Sequence, residues 1–151
     1  MTLPIPVSLK SEHDALRAAV RRGMRERGGT GEAARRVAEV LEGHMMREEK
    51  FVFRLLGLMP MLARGEMPAE LAEAEDLAER MVGEVAQMRE EHRLLSEALR
   101  VLAVQAEAQR MPQYVALAED LIRHNHVEEE VLYPAAALVG LYAAHVRAAT
   151  A

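Results

Sequence analysis

Two short patterns in the chain combine residue types that ligate metals. His44 and Glu48 stand four residues apart, and so do His124 and Glu128. On an α-helix each residue turns about 100°, so that spacing puts both side chains on nearly one line, roughly 40° apart. An imidazole nitrogen beside a carboxylate oxygen suits iron or manganese, and zinc can substitute. Two further histidines each follow a glutamate, as Glu12-His13 and Glu91-His92.

The patterns are halves of an internal repeat. The run from His44 reads HMMREEKFVFR and the run from His124 reads HNHVEEEVLYP, aligning Glu48 with Glu128, Glu49 with Glu129, and Phe51-Val52-Phe53 with Val131-Leu132-Tyr133. His92 follows His13 at nearly the distance at which His124 follows His44. A repeated helix pair places its equivalent residues symmetrically about a shared core.

Four helical stretches must carry these residues. Residues 1–7 hold two prolines and read as an extended lead-in. Ser8 or Ser11 can cap a first helix that ends near Arg27, followed by a Gly28-Gly29-Thr30-Gly31 connector. A second helix is expected from about Glu32 to Gly57, and a broken segment with Pro60, Gly65 and Pro68 comes next. A third spans about Ala69 to Gln109, and a fourth begins at Met111-Pro112. Pro134 should kink or end it, because proline cannot donate a backbone hydrogen bond, and helix can resume over Ala135 to Arg147. Short connections make successive helices antiparallel neighbours, which gives an all-α, up-down-up-down four-helix bundle in a single domain, residues 1–151, with its core over about 8–142.

The apolar stripes of these helices show which way the histidines point. Val37, Leu41, Phe51, Val52 and Leu55 bracket His44 and Glu48; Leu117, Leu121, Val131, Leu132 and Ala135 bracket His124 and Glu128. Leu9, Leu16 and Val20 flank His13, and Val85, Met88, Leu95 and Leu99 flank His92. Four histidines and two glutamates therefore face the core. Two carboxylates there are very costly without partners, and metal ions supply the compensation. Glu48 and Glu128 can bridge two ions, each also bound by histidines. A lone core histidine is usually structural, and one H-x-x-x-E is weak; two in a duplicated frame are not.

Other polar residues receive plainer readings. His126 points roughly 200° round the helix from His124, so His126 and Glu130 are assigned to the surface, as is His145. Glu12, Glu90, Glu91 and Glu129 can either support the inner ligands or stand in solvent, and the solvated reading is favoured; Tyr133 can lie near a metal site but follows the hydrophobic pattern and is read as packing. The ten methionines read as core filler. Arg17, Arg21, Arg22, Arg25 and Arg27 read as a solvated face.

These motifs together resemble the hemerythrin-like, or HHE cation-binding, family: the EH at 12–13, the H-x-x-x-E-E at 44–49, the EH at 91–92, and the H-x-x-x-E-E-x-V-L-Y-P from His124 to Pro134. The resemblance covers roughly residues 8–142. It implies a four-helix bundle with a non-haem di-iron centre, oxo- or hydroxo-bridged, ligated by His13, His44, Glu48, His92, His124 and Glu128. Oxygen carriers of this kind have a second histidine one turn away on the third helix, where this chain has Met88 and Ser96. The four-His, two-Glu set looks more like the branch that responds to nitric oxide and repairs iron clusters. The implied function is binding or reduction of O2, peroxide or nitric oxide in an oxidative or nitrosative stress response. The alternative is an iron- or oxygen-responsive sensor, or an iron store or donor.

Composition narrows the field. The net charge of −5 and the lack of a dense basic stripe disfavour nucleic acid as a partner. Without cysteine there is no thiol nucleophile, disulfide, zinc-thiolate site or iron–sulfur cluster. No uninterrupted apolar run approaches the ~18 residues of a membrane span, and MTLPIPVSLK is not a signal sequence, so no membrane partner and a cytoplasmic location are expected. The oligomeric expectation is a monomer or homodimer.

Overall fold

The structure, a computed structural model, describes residues 3–151; Met1 and Thr2, the start of the expected lead-in, lie outside the described residues. Its helices are α1 (Val7–Met24), α2 (Gly28–Lys50), α3 (Val52–Leu56), α4 (Met59–Ala63), α5 (Leu71–Ala108), α6 (Pro112–Val127) and α7 (Tyr133–Thr150), with a widened π-helical turn, Glu128–Leu132, joining α6 to α7. Among the described residues there is no strand. These elements form four legs: α1, then α2 with α3, then α5, then α6 through α7. Leg one packs on α2 and α6, and α5 packs on α2, α6 and α7. Each leg thus borders its neighbours in a ring, as the sequence pattern implies.

The expected second helix, Glu32 to Gly57, is broken at Phe51 between α2 and α3, and the starts of the first two helices also differ from expectation. Neither Ser8 nor Ser11 caps α1, which starts at Val7 with Pro6 in the capping position and no side-chain cap. Pro6 has φ −57° and its carbonyl accepts from the Lys10 N–H at 3.1 Å, so the proline pre-sets the first turn. The expected glycine connector is instead the first turn of α2. Gln109, at the end of α5, makes this possible: its Oε1 accepts from the Thr30 N–H at 2.7 Å, and its Nε2 donates to the Arg27 carbonyl at 2.9 Å. A side chain from another leg thereby satisfies one of the N–H groups that a helix start leaves without a partner.

The buried side chains form two apolar clusters. One collects Leu3, Phe53, Leu55, Met81, Met88 and Ala136; the other collects Val20, Val37, Leu41, Leu95, Leu99 and Leu121. The polar layer lies between them. Methionine contributes unevenly: Met45, Met81 and Met88 are buried, whereas Met46, Met59 and Met67 are exposed, so the core-filler reading fails for these three.

The fourth leg departs most from a regular helix. Val131, expected on the core stripe, is 55 % exposed, and Tyr133 and Ala136 occupy the core instead. A π turn adds one residue to the helix and so rotates the succeeding residues by about 100°. The Tyr133 N–H bonds to the Glu128 carbonyl five residues back, and the widened turn accommodates Pro134 without ending the leg. By length and composition the stretch Pro112–Thr150 is apolar enough to cross a membrane, which the sequence reading did not foresee. Here one face of it packs in the bundle through Tyr133, Ala136, Val139 and Ala143, while Leu138, Leu141 and Tyr142 are exposed.

Candidate metal centre

All six predicted residues converge in the polar layer, one or two from each leg. His13 comes from α1, His44 and Glu48 from α2, His92 from α5, His124 from α6 and Glu128 from the first position of the π turn. Their side chains are buried. They divide into two groups, His13–Glu48–His124–Glu128 and His44–Glu48–His92–Glu128, each with its ligand atoms within 4.8 Å of one another. Both groups contain both glutamates. The His13 Nε2 lies 3.4 Å from Glu48 Oε2 and 3.2 Å from Glu128 Oε1. On the other side the His92 Nε2 lies 3.5 Å from Glu48 Oε1 and 3.2 Å from Glu128 Oε2. Each of the two carboxylates thus turns one oxygen toward each group.

Each imidazole turns Nε2 inward and gives its Nδ1–H to a carboxylate outside the centre. His13 donates to Glu49 at 3.1 Å, His44 to Glu91 at 2.7 Å, His92 to Glu129 at 2.8 Å and His124 to Glu12 at 3.1 Å. In every case the carboxylate belongs to an adjacent leg, so the four bonds run once around the bundle. A carboxylate on Nδ1 fixes the tautomer, orients the ring and makes Nε2 a stronger donor to a cation. The expectation that Glu12, Glu91 and Glu129 are merely solvated is therefore corrected, and Glu49 joins them. Glu90 is exposed and pairs with Arg93, as expected of a surface residue.

Two of these carboxylates are themselves supported. Glu49 accepts from Arg17 Nη1 at 2.6 Å, and Glu91 accepts from Arg47 and Gln87. Burial raises the carboxyls of Glu49 and Glu91, but these hydrogen bonds and those of the histidines outweigh it, and both are held below the usual range. Arg17, expected on a solvated face, is instead buried, because Glu49 recruits it into the seam between α1 and α2. His126, Glu130 and His145 are exposed, where the sequence reading put them.

Tyr133, for which packing is the favoured sequence reading, also has a polar role at the site. Its hydroxyl donates to Glu48 Oε1 and lies 3.3 Å from the His92 Nε2, and its ring stacks on His92 with centroids 5.7 Å apart. Burial, with the charges of Glu48 and Glu128, pushes its pKa far up, so it remains a neutral donor. Its repeat equivalent Phe53 has no hydroxyl and packs against His13, centroids 4.5 Å apart.

Without a cation the inner layer must balance itself with protons. Desolvation lowers the His92 pKa, yet hydrogen bonds to Glu128 and Glu48 raise it to about 10; His124 rises to about 9, and His44 also rises. Burial raises the Glu128 carboxyl, but His124, His13 and His92 hold it well below the usual range. Even so, His44 Nε2, His124 Nε2, Glu48 Oε2 and Glu128 Oε2 are buried with no hydrogen-bond partner. These orphaned atoms, an imidazole nitrogen in each group and an oxygen of each shared glutamate, are what bound cations would satisfy. The nitrogen and oxygen donor set fits a first-row divalent metal.

The model of the hemerythrin HHE cation-binding domain matches residues 6–136. The chain belongs to that family, and its helical bundle and candidate His/Glu groups accord with a cation-binding domain. Neither curated proteins nor solved structures gave a match.

Proposed function

We propose that the chain holds two iron ions between His13, His44, His92 and His124, with Glu48 and Glu128 bridging them, and that this centre binds or reduces O2, peroxide or nitric oxide. The observation that carries the reading is the sharing of both glutamates between two groups of buried ligand atoms. When bound, an iron pair supplies electrons and open coordination positions to a small oxidant. The protein's own part is to hold the ligands rigidly. The Glu12, Glu49, Glu91 and Glu129 carboxylates fix the imidazoles, and the apolar layers above and below keep bulk water away. Tyr133 offers a proton-bearing hydroxyl at Glu48 Oε1. Two histidines and two carboxylate oxygens would supply four protein donors to each ion, fewer than the six that octahedral iron takes, which favours small-molecule chemistry over a closed structural role.

The test is metal content and visible spectrum of protein loaded anaerobically with iron, then exposed in turn to air, peroxide and nitric oxide. Two irons per chain are expected, with a spectrum perturbed by at least one of these molecules. Replacing Glu48 and Glu128 together by alanine should abolish loading of the pair, and changing His126 should not. An intact fold that takes up no metal would sink the proposal. Repeated consumption of oxidant separates turnover from one-time sensing or storage.

A further inference from the structure

The repeat makes the two halves of the centre look interchangeable, yet their surroundings differ. A cavity of about 320 Å³ lies in the seam between α1 and α6, walled by Leu9, Leu16, Val127 and Leu132, and it reaches His124 and Glu128. That volume is roughly ten times the share of one water in the liquid, about 30 Å³. His124 is 9 % exposed where its repeat equivalent His44 is 1 % exposed. The carboxylates that orient them follow the same order: the Glu12 side chain is 53 % exposed and that of Glu91 only 12 %. Glu91 is held by Arg47 and Gln87, whereas Glu12 has His124 as its hydrogen-bond partner. On the His44–His92 side the phenol of Tyr133 fills the space beside Glu48; on the His13–His124 side the equivalent ring is that of Phe53, which offers no polar atom.

We propose that small neutral molecules reach the centre through the α1–α6 cavity and meet the position held by His13 and His124, while the His44–His92 position stays closed. The proposal rests on the reading of the centre as a metal pair and adds where, and at which of its two ions, exchange occurs. Neutrality follows from the lining. The walls are aliphatic, and at the mouth Glu12 and Asp120 outnumber the single cation Arg123, which is itself paired with Asp120 at 3.2 Å. An anion would have to pass two carboxylates and an apolar throat; a diatomic gas would not be hindered by either.

Nitric oxide is the probe, its association followed by stopped flow on ferrous-loaded protein, with ethyl and tert-butyl isocyanide as wider neutral probes. Val127→Trp and Leu16→Trp fill the cavity from opposite walls; Val127 is partly exposed, so its variant should fold even if the other does not. Val104→Trp, on an exposed part of α5, serves as control. Both cavity variants should bind the same iron as the parent but slow nitric oxide association about tenfold or more, a barrier increase of about 1.4 kcal/mol. The control should match the parent, and the isocyanides should slow with girth. A folded, fully loaded Val127→Trp protein with the parent's rate overturns the proposal. A metal-independent arm uses xenon titration of the unloaded chain, followed by methyl NMR. Shifts at Leu9, Leu16 and Leu132 that vanish in Val127→Trp support the cavity, and their absence in the parent overturns it. Failure to load iron would instead strike the reading of the centre, and the xenon result would still decide the cavity.

Discussion

At the scale of single residues, the outer carboxylates carry the sharpest expectations. Glu90 and Glu91 are neighbours in sequence with opposite roles: Glu91 holds His44, while Glu90 pairs with Arg93 in solvent. Glu91→Gln should weaken metal binding about 10- to 100-fold, the usual cost of losing a carboxylate behind a metal-bound imidazole, and Glu90→Gln should leave it unchanged. Competition titration with a chelator measures both. Tyr133→Phe, which imitates the other half of the repeat, should retain two metals but lower unfolding free energy by about 1–2 kcal/mol, since a buried Glu48 oxygen loses its donor. It should also move the visible spectrum of the loaded protein, which a purely packing tyrosine would not do. Four of the inner residues were legible because the H-x-x-x-E pattern occurs twice in one frame, and His13 and His92 because each follows a glutamate at matching positions of the repeat. The outer glutamates were not. Glu49 and Glu129 sit one residue, about 100°, beyond the inner glutamates, a direction that means water on an isolated helix. In a ring of four legs the same direction faces the next helix. Helical phase alone does not distinguish the two.

At the scale of elements, the π turn explains why packing is the favoured reading of Tyr133 in the sequence. Counted along a regular helix from Glu128, Tyr133 points off the core line; one inserted residue brings it back to Glu48. Pro134 gave a signal for a disturbance here, but the signal read as a kink or an end, not as a widened turn. Two glycines on long helices give contrasting predictions. Gly83 on α5 has nothing within 4 Å of where a Cβ would stand, so Gly83→Ala should raise stability by about 0.5–1 kcal/mol through helix propensity. Gly140 on α7 faces α5, and a Cβ there would lie 2.2 Å from the Ala78 Cβ. Gly140→Ala must push α5 and α7 apart and should destabilise by about 1–3 kcal/mol. Thermal melts of the two variants should shift in opposite directions.

At the scale of the whole molecule, the polar layer links stability to pH. In chain stripped of metal, the raised pKa values of His92 and His124 mean that folding favours their protonated forms. Stability from this source is complete below the unfolded histidine value of about 6.5 and is lost as pH rises through about 9 to 10. The lowered Glu128 carboxyl works in the other sense: its contribution is present above the ordinary carboxylate value and is lost on acidification. Melting temperature of the stripped chain should therefore fall on both sides of neutral pH. Loaded chain should hold its stability through the alkaline range, because a cation replaces the protons, and loading at pH 7 should release protons into unbuffered solution.

The ring of His–Glu bonds has one more consequence. Under the repeat's approximate two-fold relation, Glu12-His13 maps onto Glu91-His92 and His44 through Glu49 onto His124 through Glu129, so two of the four contacts, His44–Glu91 and His124–Glu12, join one half of the chain to the other. Two separate helical hairpins would have to find each other to close such a ring, and their affinity for a cation would fall with dilution. Here the segment of residues 57–70 tethers the halves, giving each an effective concentration on the order of millimolar for the other. Metal affinity should thus be the same in nanomolar as in micromolar protein, whatever the oligomeric state of the chain.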